Sequence, residues 1–242
     1  GARRFIALNP DTLAYITEFD LSDNSVNFHD YSQYTADINP VTGDLYLLEI
    51  LDQNDDERRV RKVTPAGVVS TVIAAGTAEL EDAQSIAVTR DGAQLLTARP
   101  NRVDRWQLGA SVTYTGVAFG KEDTGNPGQY VGSCNPSVGL RYPKEASMNF
   151  TGDGTLWLRS DGCGEGDYLI GYDVSDITAW KVRHTYSGAD DYQDGRGSVA
   201  MRSDGLLFVP NGDESDAPWV RVLCSTARNG QGESYPPRPQ RA

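Results

Sequence analysis

The sequence predicts an all-β chain, a β-propeller of four-stranded blades with about five blades visible and the first and last incomplete. Three observations predict it. A hairpin unit recurs four times, a third alternating strand follows each copy and a fourth follows three of them, and no run carries apolar residues at helical spacing. The best helical attempt, Thr77 to Gln84, is too short and lies between strands.

The four copies of the hairpin run from Ala36 to Leu47, Ser85 to Leu96, Ser147 to Leu158 and Ser198 to Val209. In each, glycine follows Asp or Thr at the turn and supplies the positive φ that a tight hairpin needs between two alternating strands. These are strands A and B. A polar loop then leads to strand C, at Arg59–Val63, Arg102–Trp106, Leu169–Val174 and Trp219–Leu223. Short turns such as Thr64-Pro65-Ala66-Gly67 and Leu108-Gly109-Ala110 lead on to strand D, at Val68–Ile73, Ser111–Val117 and Trp180–Thr185. Four strands per unit is the blade of a propeller, whereas a sandwich does not repeat a four-strand unit in phase.

The N-terminal stretch enters the register late. Arg4–Leu8 reads as B, Leu13–Leu21 as C and Ser25–Tyr31 as D, so blade 1 has no strand A. Blade 5 stops at its strand C, and Ser225 to Ala242 is a Gly, Pro and Arg-rich tail without a periodic pattern. The expected organisation is a propeller over 1–224 and an irregular tail over 225–242, with either an unusual closure or a longer chain.

The run Val60-Arg61-Lys62-Val63-Thr64-Pro65-Ala66-Gly67-Val68-Val69-Ser70-Thr71-Val72, followed by Ser85-Ile86-Ala87-Val88-Thr89-Arg90-Asp91-Gly92, resembles the NHL-type repeat and, more loosely, the gluconolactonase-like propellers. The resemblance covers about two blades well and the others by pattern. Blade 3 departs from it after strand B, at Thr97-Ala98-Arg99-Pro100-Asn101, and blade 4 carries a long insertion, so membership of a catalytic subfamily is not implied.

Composition narrows the partners. Lys and Arg total 22 against 34 Asp and Glu, a formal net charge of −12, which opposes phosphate backbones and anionic lipid surfaces. No apolar run approaches the ~20 residues that span a bilayer, so neither nucleic acid nor membrane insertion is expected. Of the three cysteines, Cys134 and Cys163 bracket a Gly-rich polar segment and are the favoured disulfide pair, leaving Cys224 as a thiol. That bridge and the sequon Asn149-Phe150-Thr151 point to an extracellular or cell-surface glycoprotein. Two histidines and three cysteines show no zinc-ligand spacing.

Propeller topology sends the D-to-A and B-to-C connections to one face and the A-to-B and C-to-D turns to the other. The first face gathers Asp52, Asp55, Asp56 and Glu57, then Asp161, Glu165 and Asp167, then Asp213, Glu214 and Asp216 from B-to-C loops. The D-to-A connections add Glu79, Glu81, Asp82, Glu122, Asp123, Asp190, Asp191 and Asp194. Such a face attracts cations, either Ca²⁺ held by carboxylates from several loops or a basic ligand. Solvated loops are also simply polar, which is the plainer reading.

Residues starting each strand A point toward the central channel, where the gluconolactonase-like resemblance implies metal and catalytic groups. The candidate metal ligands are Asp37, Asp82, Glu145, Asn149 and Asp194, and the candidate ligand-binding residues Tyr34, Gln84, Arg196 and Tyr130, the last from the insertion Gly120–Glu145. Capping of strand ends is the alternative for all of them. No His is placed to activate a Ser or Cys near the channel, so a nucleophilic triad is not expected. Thr151-Gly152-Asp153-Gly154-Thr155-Leu156-Trp157 approaches an Asp-box without its spacing.

The function these observations favour is a secreted or surface-displayed binding or scaffold module, presenting the acidic face to a protein, glycan or small-molecule ligand. A metal-dependent hydrolase or lyase at the channel mouth, and a structural subunit self-assembling through open blade edges, are the alternatives.

Overall fold

The computed structural model describes residues 4–8, 12–20, 34–51, 57–81, 83–99, 102–120, 143–160, 167–175, 181–188, 200–201, 206–211 and 219–224. They form seventeen strands in five antiparallel sheets. A two-stranded sheet pairs β1 (Arg4–Leu8) with β2 (Tyr15–Asp20). Blade 2 is β3 (Tyr34–Ile38), β4 (Leu45–Ile50), β5 (Arg58–Val63) and β6 (Val69–Ile73). Blade 3 is β7 (Ser85–Val88), β8 (Gln94–Arg99), β9 (Arg102–Gln107) and β10 (Thr113–Gly120). Blade 4 is β11 (Pro143–Phe150), β12 (Thr155–Ser160), β13 (Asp167–Asp173) and β14 (Lys181–Gly188). The last sheet is β15 (Ala200–Met201), β16 (Leu206–Asn211) and β17 (Trp219–Cys224). Each sheet is ordered as a simple meander, as propeller blades are. A single 3-10 turn, Ala78–Leu80, interrupts the strands among the described residues, inside the segment that came nearest to a helix in sequence.

Alternation along each strand sends side chains into the two flanking seams. Ile86 and Val88 of β7 face blade 2, packing with Tyr46, Leu48, Val60, Ile73 and Leu80. Ala87 faces the other way and joins Leu96, Val103, Met148, Leu156 and Tyr172 between blades 3 and 4. The inner strands β7 and β8 are thus apolar on both faces over their middle, because a blade is sandwiched by two neighbours.

The A-to-B turns close one end tightly. Thr89 and Thr151 each donate a hydroxyl proton to Asp91 (2.6 Å) and Asp153 (2.8 Å), which in turn accept from Ala93 N–H and Thr155 N–H. Gly92 and Gly154 follow with φ of 69° and 82°. The turns are stitched across blades: Asn39 Nδ2 donates to Gly92 O (2.9 Å), and the Arg90 guanidinium reaches Gly152 O.

Two expectations need correction. Aligning the copies on their turn glycines makes Ala36 the counterpart of Ser85, but the pairings Ile38↔Leu45 and Val88↔Leu95 make it Thr35. The first turn is built on Asn39, whose Oδ1 accepts from Val41 N–H and Thr42 N–H, and this places its glycine one residue later. On an innermost strand Ile38 should pack between blades as Ile86 and Met148 do, but it is 57% exposed. Its side of β3 faces away from blade 3, toward a position that no described strand fills. Val199, which holds the place of Ile86 and Met148 in the fourth hairpin copy, lies outside the described residues.

Candidate functional site

The end opposite the tight turns carries the longer connections, and its strand ends are held by buried charge. In blade 2, Glu49 is fully buried and receives both Arg59, its cross-strand partner, and Arg61. In blade 3 the equivalent positions carry Arg99, Arg102 and Asp104. Arg102 Nε donates to Asp104 Oδ2 at 3.0 Å, with Arg99 Nη1 3.8 Å from the same oxygen. The two triads occupy the same three places in successive blades with the acid moved from strand B to strand C. Each combines two guanidiniums with one carboxylate, so positive charge is in excess within each triad.

Two arginines, one of them from the blade 3 triad, grip the connection between blades 2 and 3. Arg58 Nε donates to Ala83 O (3.1 Å) and Arg99 Nη1 to Ala78 O (3.3 Å). Leu80 and Ala83 of that connection are fully buried, while Glu79 and Glu81 are not. Burial raises the Asp104 carboxyl above its ordinary value against the pull of Arg102, Tyr114 and Arg99. Tyr114 Oη donates to Asp104 Oδ1 at 2.9 Å, and burial with that neighbouring carboxylate pushes the phenol up to about 12. Trp106 stacks edge-on against the Tyr114 ring and donates Nε1–H to Thr97. Sequence reasoning missed both triads, because Arg-x-Arg on a strand reads as a solvated face; the one signal was Glu49 standing inside the otherwise apolar Leu45–Leu51 run.

Along the inner strands, hydroxyl and carboxylate groups link each blade to the next. Ile86 N–H donates to Thr35 Oγ1 (3.1 Å) and Met148 N–H to Ser85 Oγ (2.9 Å), the same bond in two successive seams. Asp37 accepts from Val88 N–H through Oδ2 (2.7 Å) and from Ile38 N–H through Oδ1 (2.8 Å). Burial raises its carboxyl above the usual value, opposed by those two backbone donors.

The expected site residues are therefore placed as follows. Tyr34 begins β3, and Gln84 holds the equivalent position before β7, half-buried with its N–H on Ala98 O. Asp37 is engaged by the two amides just named. Asn149, the equivalent of Asp37, is half-buried within β11 opposite Trp157, so the sequon lies in a strand and not on a loop; Glu145 lies in the same strand. Asp82, Tyr130, Asp194 and Arg196 lie outside the described residues, as do Cys134 and Cys163. Among the described residues no three His, Cys, Asp or Glu side chains gather closely enough to hold a metal ion, and no helix is long and apolar enough to cross a membrane.

No protein-family model and no curated protein sequence matches the chain. Solved structures do. A putative exo-β-1,3-galactanase from Bifidobacterium bifidum is similar over 92% of this chain and 82% of its own, at 14% identity and a TM-score of 0.51. PorZ, a bacterial surface component of the type-IX secretion system of Porphyromonas gingivalis, is similar over 88% of this chain at 16% identity and a TM-score of 0.50. The chain spans 28% of PorZ, and 58% of a functionally unknown protein from Desulfotomaculum acetoxidans that it also matches. At these identities the likeness is one of fold, and with the meandering four-stranded sheets it identifies this chain as a β-propeller.

Proposed function

We propose that the chain is an extracellular or cell-surface propeller module whose loop-bearing end presents carboxylates to a protein, glycan or small-molecule ligand. The observation that carries this reading is the inequality of the two ends. One is closed by hydrogen-bonded turns that leave little to recognise. The other rests on the Glu49 and Asp104 triads, and the first of them holds the strand ends between which the acidic segment 52–56 runs. Loops on a rigid frame are the usual place for recognition.

Calcium is the cation this reading assigns to the acidic end, and the Cys134–Cys163 bridge would staple the insertion of blade 4 to its own B-to-C loop. The NHL-like run over β5 and β6 fits a repeat used for binding. Thermal melts at matched ionic strength in NaCl and CaCl₂ test the proposal. A gain specific to calcium supports a bound ion by mass action, an equal gain supports diffuse screening of a shared acidic face, and no gain in either refutes the face.

A second reading is a hydrolase or lyase working at the channel mouth; a putative exo-β-1,3-galactanase shares the fold, and β-1,3-galactan is the first substrate to offer. Release of sugar that survives Asp37→Asn would place the chemistry elsewhere than the inner strands.

A further inference from the structure

The connection from β6 to β7 is held at two points, one by each of the blades it joins. Arg58, where β5 begins, donates Nε–H to Ala83 O in a buried bond (3.1 Å), and Arg99, where β8 ends, donates from Nη1 to Ala78 O in a half-buried one (3.3 Å). Between those points the chain changes character. Leu80 and Ala83 are fully buried, and Ala83 N–H donates to Leu80 O at 3.1 Å. Ala74, Ala75, Gly76 and Ala78 are exposed, and among the described residues the Arg99 bond is the one hydrogen bond tying 74–79 to another element. Thr77 serves its own segment: its hydroxyl donates to Ala74 O (2.7 Å), and its carbonyl accepts Leu80 N–H (2.8 Å).

Arg99 is itself aimed. Its Nη1 lies 3.8 Å from Asp104 Oδ2, which also accepts from Arg102 Nε at 3.0 Å, while Tyr114 Oη donates to Oδ1 at 2.9 Å. A carboxylate fixed from β9 and β10 thus keeps the guanidinium turned toward the connection. Gly76, at a φ of 73° and with nothing within 4 Å of where a Cβ would stand, gives the exposed part a pivot.

We propose that residues 74–79 form a strap that opens as a unit, swinging at Gly76 against the fixed point at Leu80, and that Arg99 is its latch. Opening breaks the Arg99–Ala78 and Leu80–Thr77 bonds and leaves Arg58 on Ala83. It also changes the charge presented at the loop-bearing end. The Glu79 carboxylate, whose field reaches Tyr114, leaves with the strap, and the Arg99 guanidinium is uncovered. The closed strap is the form that offers carboxylates, a consequence that rests on the binding reading above, whereas the latch stands on its own geometry.

Native-state hydrogen exchange on the whole chain without ligand tests the latch apart from that reading. Arg99→Met keeps the apolar stem and removes the donor, and should speed Leu80 amide exchange about tenfold or more, the worth of a hydrogen bond to a charged group, with Ala83 unchanged. Arg58→Met should instead speed the Ala83 amide. Tyr114→Phe loosens Asp104 without touching the connection and should speed Leu80 by a smaller factor, which keeps the test open if Arg99→Met does not fold. Leu80 exchange indifferent to these latch variants overturns the proposal. So does a variant at Arg99 that speeds Leu80 and Ala83 alike, because the whole seam then opens. Melts that show no response to calcium while Leu80 behaves as expected sink the binding reading and spare the strap.

Discussion

Replacing Thr35 by valine removes one hydrogen-bond acceptor and almost nothing else. The two side chains have the same shape, Thr35 is 5% exposed, and its Oγ1 is the acceptor for Ile86 N–H at 3.1 Å. Ile86 is itself 1% exposed, so water cannot take over the amide without opening the seam. An unsatisfied buried donor costs about 1–3 kcal/mol. For a chain of this length 1 kcal/mol shifts the melting temperature by about 2–4 °C, so a loss of about 2–12 °C is expected for Thr35→Val. Thr35→Ser keeps the oxygen and loses a methyl worth about 0.8 kcal/mol, and should fall less. Thermal denaturation ranks the three proteins, and hydrogen exchange localises the effect: the Ile86 amide should lose protection in the valine variant alone. Equal melting temperatures for Thr35→Val and wild type, or an Ile86 amide that stays protected, would refute the blade-to-blade bond.

Other outcomes follow from the same geometry. Glu49→Gln leaves two buried guanidiniums without their carboxylate and should cost about 3–5 kcal/mol in urea denaturation, the toll of breaking a buried pair. Gly92→Ala places a methyl group 2.9 Å from Val41 at a φ of 69°, and should destabilise by about 1–3 kcal/mol where Gly76→Ala, which meets nothing within 4 Å, costs only backbone strain. Tyr114 has its phenol raised from 10 to about 12 in the folded chain, so the stability it contributes is whole below pH 10 and drains away as pH rises through 12. Alkaline melts should show that loss in wild type and a flatter profile in Tyr114→Phe.

Much of the architecture could be read from sequence because propeller blades advertise themselves at their turns. Thr89-Arg90-Asp91-Gly92 and Thr151-Gly152-Asp153-Gly154 carry both the positive-φ glycine and the side chains that satisfy the turn, so strands A and B were delimited within a residue or two. The first copy misled by one position because Asn39 satisfies its turn differently, and a slip of one residue on a strand exchanges the two faces. That slip hid the Thr35–Ser85 equivalence and put Ile38 in a seam. The charged triads stayed hidden for a related reason. Period-two alternation tells which residues share a face, not whether a neighbouring blade covers it, so Arg59 and Arg61 look like solvent-facing positions until the packing is known.

The inner strands show why candidate ligands are the least legible part. Asp37 was singled out because a carboxylate beginning an inner strand ought to reach the channel. Yet side chains on these strands alternate between the two seams, and Asp37 takes the seam toward blade 3, where Val88 N–H and Ile38 N–H occupy both oxygens. A cation drawing Asp37 into its coordination must take the second lone pair of an oxygen that already accepts an amide, or displace that amide and forfeit about 1–3 kcal/mol if it stays buried. Ile38, 57% exposed, gives its N–H the easier route to water, whereas Val88 at 2% has none. Metal binding through Oδ1, with Oδ2 kept on Val88, is therefore the version of that role that disturbs the seam least.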